Sequence, residues 1–419
     1  MKRLSVYYES TLVGYLSEDD KQALCFSYTN DWLINNVAIA LSPDIYLSDQ
    51  LFSGDVVESF FGNLLPEGDV LDFISQAMHI SSSNVFGLLE RFGGDTAGAF
   101  SILPEGLEPS DIPHYLPVSK NKIKEWFQQT KGLPLNINGE QSRMSLSGAQ
   151  DKMTVFIDSN NDISIPLGAA PSTHIIKPSI NHRLDVPHTA INEVLIMTLA
   201  KEIKLDVAET RYDPELCAAI IKRYDREMVQ GKLKRLHQND LCQILGLPSN
   251  KKYEVEGGPS LVNCFDAVLK QSSQPAKDKK RLIEWVVFNI LVGNMDSHAK
   301  NLSVMTVANK KELTPFYNMV CTAVYPNLSQ KFAFKIGGEN RPDWIMRRHW
   351  ERFSNDTGTK PQFVINIITD IIHRIDKSLP IVVSQLKAMS SVSDEILMIE
   401  KIDKIINTAI SKMKSRVGH

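Results

Sequence analysis

Three short β-like runs, RLSVYYE, TLVGYL and ALCFSY, open the chain and give way to the turn-rich stretch FFGNLLPEGD. Apolar spacing then becomes helical in VLDFISQAM and VFGLLERFG. PEGLEPSDIP, 104 to 113, and GLPLNINGEQ, 132 to 141, are rich in turn residues and read as connectors. From about 143 to 225 the pattern predicts strands, a helix and further strands. MTVFID and THIIKP are β-branched runs bounded by turn residues. TAINEVLIMTLAKEI puts Ile191, Val194, Leu195, Thr198, Leu199 and Ile203 near one helical face. Beyond 236 helices dominate. QFVINIITDIIHRI carries Val364, Ile367, Ile368, Ile371, Ile372 and Ile375 on one stripe, which predicts an amphipathic helix. Ser393-Asp-Glu-Ile reads as an N-cap ahead of a final helix through Met413. The expected layout is a small α+β subdomain, a strand-rich lobe and a larger helical lobe.

Composition narrows the class of protein. A chain of 419 residues has room for about two or three domains with a sizeable core. With 43% apolar and 23% charged residues, neither disorder nor a disulfide-built scaffold is expected. Net charge is -3, and the basic clusters Lys279-Lys280-Arg281 and Arg347-Arg348 are short enough to be solvated surface. Direct nucleic-acid binding by this chain alone is therefore not expected. The five cysteines, at 25, 217, 242, 264 and 321, form no CxxC pair, so neither a zinc knuckle nor a disulfide framework is favoured. MKRLSVYYES lacks the apolar run of a signal peptide, and no stretch of about eighteen apolar residues could span a bilayer. The expectation is a reduced, cytoplasmic protein without a membrane partner.

One segment breaks the ordinary pattern. RLIEWVVFNILV is apolar almost all round, which predicts a buried helix, and it runs straight into GNMDSHAKN. Polar groups beside a core are unfavourable unless paired or used. Asp296 and Asn301 are five positions apart, the interval between Asp and Asn in the kinase catalytic loop H-R-D-x-x-x-x-N. The chemistry accounts for the interval: one carboxylate accepts the proton of an attacking hydroxyl, while an amide oxygen ligates magnesium that already holds the phosphates. An Asx turn at a helix C-terminus would produce the same spacing. Other segments follow kinase order. LTPFYNMV reads as a strand and turn where a kinase carries its second metal ligand. Lys177 ends the strand-like THIIK, and Glu193, in the first turn of the next helix, could hold that lysine. Neither G-x-G-x-x-G nor GxxxxGK[ST] occurs. The candidate phosphate loop is RMSLSGAQDK, 143 to 152, where backbone N–H groups around Gly148 could form an anion nest and Lys152 could add charge. A plain hairpin turn is the alternative for that stretch.

Taken together, SLSGAQDK, THIIKP, NEVLIMTLAKE, IKRYDRE, LCQILGLPSNKKYEVEGGPSL, GNMDSHAKN and LTPFYNM resemble, in order, the motifs of HipA-family serine/threonine kinases. FFGNLLPEGD and GGDTAGAFSILPEG resemble that family's extra N-terminal subdomain. The resemblance covers nearly the whole chain. It implies an α+β, bilobal protein-kinase-like fold related to lipid kinases, with ATP and magnesium as cofactors. The implied division is an N-terminal subdomain at 1–134, a kinase N lobe with phosphate loop and hinge at 135–235, and a helical C lobe at 236–419. It also implies a toxin neutralised by a small helix-turn-helix antitoxin, with DNA engaged only through that partner. The implied protein substrate is of the aminoacyl-tRNA synthetase class.

Carried onto this chain, the resemblance makes Asp296 the catalytic base, Asn301 a magnesium ligand and His298 a site histidine that either contacts phosphate or braces the loop. Lys177 would bind the α-phosphate side, with Ser147, Gly148 and Lys152 in the phosphate loop. Lys222 and Tyr224 of IKRYD would offer hinge backbone groups to adenine, although the family usually has an acid at the position of Lys222. Gln238 would meet the ribose or be simple surface. Ser145 matches the autophosphorylated serine, with Ser147 beside it. Where the family has FYD this chain reads FYN, so the expected metal-binding aspartate is Asn318. That change means either a naturally impaired enzyme or a copy altered to tolerate production of a toxic kinase. Two further readings are a pseudokinase acting as co-repressor with its DNA-binding partner, and a small-molecule or lipid kinase on the same scaffold.

Overall fold

The structure, a computed structural model, describes residues 2–21, 23–130, 143, 148, 150–179 and 185–418. The connector 132–141 and the serines Ser145 and Ser147 lie outside the described residues. Chain contacts divide the molecule into two compact units. One comprises Met1–Lys177, Lys222–Ser249 and Met305–Ala308; the other comprises Pro178–Ile221, Asn250–Val304 and Asn309–His419. Both sheets and helices are present, so the α+β class expected from the sequence is the class observed.

The first unit begins with an antiparallel sheet in the order Phe52–Ser53, Leu24–Tyr28, Thr11–Glu18, Arg3–Tyr8, Phe100–Pro104. Its β-branched and aromatic residues form one core with the helices Asp55–Gly62, Gly68–Met78 and Val85–Phe92. Val6, Leu16, Phe26, Phe61, Leu89 and Phe100 lie in that core. Gly14 permits a close approach there, since a Cβ would stand 2.3 Å from the Ser27 carbonyl oxygen. The Asn84 side chain accepts from the Gly87 N–H and caps Val85–Phe92. A second set of strands, Tyr115–Pro117, Ile163–Pro166, Met153–Ile157 and His174–Pro178, pairs antiparallel in that order and carries Lys177 near its end.

The second unit is mainly helical. Pro275 starts the helix Pro275–Leu291, where its missing N–H needs no partner. From Leu282 to Leu291 every side chain is buried, as the all-round apolar pattern requires. The helix Pro361–Met389 buries the predicted stripe from Val364 to Ile375. Three expectations need correction. The helix Thr189–Glu202 is buried on almost every side rather than on one face, and its buried Asn192 is satisfied by both backbone groups of Cys321. The strand at LTPFYNMV stops at Leu313, because Pro315 has no N–H for a ladder. The last helix, Ser393–Val417, has Val392 as its N-cap with no side-chain cap, and it runs beyond Met413. Glu395 faces inward instead, accepting from Tyr212 Oη and, at 2.5 Å, from Ser390 Oγ. Among the described residues no helix is long and apolar enough to cross a membrane.

Candidate active site

The polar loop after Pro275–Leu291 is resolved by asparagines. Val292 N–H closes the helix on the Phe288 carbonyl at 2.9 Å, and Asn294 N–H reaches the Asn289 carbonyl at 2.9 Å. Asn289 Nδ2 donates to the Trp285 carbonyl at 2.8 Å, and Asn294 Nδ2 donates to Asn289 Oδ1 at 2.7 Å. The helix-end carbonyls of Phe288, Asn289 and Ile290 are thus met by backbone N–H groups of the loop, and the side-chain amides lock onto one another and the Trp285 carbonyl. Gly293 takes φ +73°, and a Cβ there would lie 2.9 Å from Ala323 Cβ, so only glycine suits this turn. Thr322 Oγ1 accepts from Met295 N–H at 2.8 Å, and Ser297 Oγ donates to the Asn294 carbonyl at 3.2 Å. Between Leu291 and Lys300, only Asp296 is exposed.

Three predicted residues converge here. Asn301 Nδ2 donates to the Asp296 carbonyl at 2.9 Å, which fixes its Oδ1 toward residue 318. Asn318 Nδ2 donates to that Oδ1 at 3.1 Å. Asn318 sits at φ +56°, a left-handed conformation that asparagine and aspartate adopt more readily than other side chains. Its neighbour Tyr317 donates to the Lys300 carbonyl at 2.8 Å, and Asn192 holds Cys321 just beyond. His298 is buried. Its N–H donates to the Asp296 carbonyl at 3.0 Å, and its ring meets the edge of Tyr253 at 5.0 Å. The Tyr253 phenol donates to Asp296 Oδ1 at 2.5 Å, a contact that sequence reading did not anticipate.

These side chains fit a magnesium ion in part. Asn301 and Asn318 bring their side-chain amides to one place on the loop of the exposed Asp296, groups that could ligate a metal held mainly by nucleotide phosphates. Neither amide carries charge, and their mutual hydrogen bond occupies the Asn301 oxygen that a cation would take.

The other predicted residues belong to the first unit. Gly148 takes φ +110°, and a Cβ added there would lie 2.6 Å from Lys152 Nζ, so the ammonium stands directly over the glycine. The Gly148 carbonyl accepts from Glu67 N–H at 3.2 Å, tying this position to the N-terminal stretch LLPEGD. Lys177 is buried in the strand His174–Pro178. Glu193 is buried at the fifth position of Thr189–Glu202 and belongs to the second unit. Lys222 is exposed, and Tyr224 donates to Gln238 Oε1 at 2.6 Å. Gln238 in turn donates to Asp225 Oδ2 at 3.2 Å, so it is a bonded member of this region rather than loose surface.

Alternating with the exposed Lys222 and the half-buried Tyr224, Arg223 and Asp225 turn inward. Arg223 makes two hydrogen bonds to Asp225, at 2.9 and 2.8 Å. Asp95 accepts from Arg223 at 3.2 Å, Arg226 at 2.9 Å, Arg235 at 3.3 Å and the Ser172 N–H at 3.2 Å. All five charged side chains are at most 5% exposed. Burial pushes the Asp95 carboxyl up, but the guanidinium groups of Arg223, Arg226 and Arg235 outweigh it and hold the group at about 2. Because that lies below the ordinary value of 3.8, its stabilising contribution is present above that value and is lost as pH falls toward about 2. Asp95→Ala should destabilise by about 3–5 kcal/mol, the usual result of leaving a buried ion without its partner. Asp95→Asn should lose less and should unfold with a shallower pH dependence between about pH 4 and 2. Urea unfolding across that range checks both; an Asp95→Ala protein as stable as the parent would show the cluster to be energetically neutral.

Residues 4–103 match the family described as HipA N-terminal domain, and residues 144–379 match the HipA-like C-terminal domain. The serine/threonine-protein kinase toxin HipA of Shewanella oneidensis is 30% identical over 403 residues, covering 91% of this chain and 90% of its own. Y4mE of Sinorhizobium fredii, named as a kinase, is 34% identical over 378 residues, covering 88% of this chain and 89% of its own. Among solved structures, a chain from the Shewanella oneidensis complex of HipA, HipB and operator DNA superimposes with a TM-score of 0.84. It is 27% identical, covering 99% of this chain and 98% of that one.

Proposed function

This chain belongs to the HipA family of kinases, and we propose that it transfers the γ-phosphate of ATP to serine or threonine hydroxyls as the toxin of a toxin–antitoxin pair. The observation that carries this reading is the convergence of Asp296, Asn301 and Asn318 at the end of a buried helix. Asp296 would take the substrate proton. Asn301 and Asn318 would hold magnesium, whose charge would offset that of the phosphates. Lys177, Ser147, Gly148 and Lys152 would bind the phosphates, with His298 bracing the loop or touching phosphate. Backbone groups of Lys222 and Tyr224 would meet adenine, and Gln238 the ribose. Residues 1–134 would form the N-terminal subdomain, 135–235 the N lobe and 236–419 the C lobe.

The partner in this reading is a small helix-turn-helix antitoxin, with DNA reached only through it, in the cytoplasm. A HipB partner in the superimposable Shewanella oneidensis complex supports that part. The proposed target is a translation-related protein of the aminoacyl-tRNA synthetase class. The experiment is transfer of labelled phosphate from ATP–magnesium, to the chain itself and to synthetases, followed by peptide mapping. Absence of transfer in every form would overturn the kinase reading. The neutral pair Asn301 and Asn318 favours one second reading, a weakened or inactive kinase that serves mainly as co-repressor.

Ser145 is the expected autophosphorylation site. A phosphoryl group adds about -1.5 to -2 charges beside a loop proposed to hold ATP phosphates. Repulsion should then lower ATP affinity and switch transfer off. Mass spectrometry and nucleotide titration check this. Phosphate confined to Ser147 or to distant residues contradicts the site, and unchanged ATP affinity contradicts the switch.

A further inference from the structure

The segment KKYEVEGG, 251 to 258, lies within a stretch that resembles the family but carries none of the assigned site residues, and it presents a phenol to the exposed carboxylate of the site. Its local structure accounts for the presentation. Residues Glu254–Glu256 form a short 3-10 turn, and the Glu256 and Gly258 N–H groups fold back on the Tyr253 carbonyl at 3.1 and 2.9 Å. A Cβ at Gly258 would lie 2.2 Å from the Lys251 carbonyl oxygen, so this return requires glycine. The turn is then tied down on two sides. Ala299 N–H donates to the Lys252 carbonyl at 3.3 Å, and Glu254 accepts from the Lys335 N–H at 2.8 Å, with the Lys335 ammonium 3.5 Å away. The Tyr253 ring lies edge-on to His298, and the Lys252 ammonium lies 5.5 Å from its centroid. Anchored in this way, its hydroxyl meets Asp296 Oδ1 at 2.5 Å.

Resting on the kinase reading, we propose that Tyr253 is the positioning residue of Asp296. An exposed carboxylate on a loop has a free χ2 rotation, and a base that rotates spends little time aligned with the substrate hydroxyl. Donation to Oδ1 holds the group in one rotamer and leaves Oδ2 to receive the proton. In the transfer step the substrate O–H proton passes to Asp296 Oδ2 while the substrate oxygen bonds to the γ-phosphorus. The bond from that phosphorus to the bridging oxygen breaks, and ADP leaves with the electron pair. Tyr253 gives up no proton and touches no reacting atom.

The test is Tyr253→Phe, which retains the ring against His298 and removes only the hydroxyl. Autophosphorylation with labelled ATP–magnesium is followed in the parent chain and in an Asn318→Asp form, over a range of ATP concentrations. The maximal rate should fall by about ten- to a hundredfold, the scale of a small misplacement of a reacting group. The ATP concentration giving half the maximal rate should stay within about twofold, and Tm should stay unchanged. In an Asp296→Ala background the same substitution should have no effect, because a residue acting through another is not additive with it. An unchanged maximal rate overturns the proposal. So does an equal loss with Asp296 absent, or a loss that tracks a fall in Tm and ATP affinity. A parent that transfers no phosphate in either form overturns the kinase reading and this inference with it.

Discussion

Asp296→Ala is expected to slow phosphoryl transfer by about a hundred- to ten-thousand-fold, the usual contribution of a positioned general base. The loop should survive the change. Asn301 Nδ2 and His298 N–H both bind the backbone carbonyl of residue 296, not its side chain. Asn294, Thr322 and Ser297 hold the neighbouring backbone without it. The Tyr253 phenol loses its acceptor but remains exposed enough to meet water. ATP affinity should therefore stay within about twofold, since phosphate contacts are assigned elsewhere. Rapid-quench transfer under single-turnover conditions, paired with nucleotide titration, separates the two quantities. Full turnover in the variant would remove Asp296 from the mechanism. Loss of affinity in proportion to loss of rate would mean that it supports binding instead.

How much of this was legible depended on whether the physics was local. The buried helix and its polar sequel were visible because an all-round apolar run followed by GNMDSHAKN breaks the ordinary pattern within twelve residues of RLIEWVVFNILV. The five-residue interval of Asp296 and Asn301 is likewise a loop property, and the two are joined by a hydrogen bond. Tyr253 was not legible, because its partner lies 43 positions away and a tyrosine before EVEGG has many uses. The same holds for Asp95, whose arginines are 128 to 140 positions distant. The only local hint was the alternation in KRYDR, which turns Arg223 and Asp225 to one side and Lys222 and Tyr224 to the other. Periodicity misjudged the helix Thr189–Glu202 because it counts Asn192 and Glu193 as solvent-facing. Both are buried, and Asn192 completes its hydrogen bonds with Cys321 and Tyr325. Ser393 is a good cap in isolation, but the demand of Tyr212 and Ser390 for the Glu395 carboxylate places the helix start there differently.

Asn318→Asp is expected to raise phosphoryl transfer by at least about a hundredfold, comparable to restoring one preorganised electrostatic group. The hydrogen bonds explain why one atom could matter so much. Asn301 spends its Nδ2 on the Asp296 carbonyl, so its Oδ1 is committed to residue 318. In the parent chain the Asn318 amide N–H satisfies that oxygen, and the pair closes on itself without a cation. A carboxylate at 318 would instead set two oxygens face to face, an arrangement that repels until a divalent ion lies between them. Aspartate also accepts the left-handed backbone at φ +56°, so the change should not distort the turn. Three readouts follow. Single-turnover transfer at several magnesium concentrations should separate the forms in rate. Thermal unfolding without nucleotide should show a Tm that rises with magnesium in the substituted form and not in the parent. Expression of the substituted form should arrest growth unless an antitoxin is co-expressed. Equal rates and equal Tm profiles would mean that residue 318 is not part of the metal site. Forms that are both inert toward every protein offered, yet both bind a DNA-binding partner, would favour the co-repressor reading, with Asn318 locking the amide pair in a metal-free state.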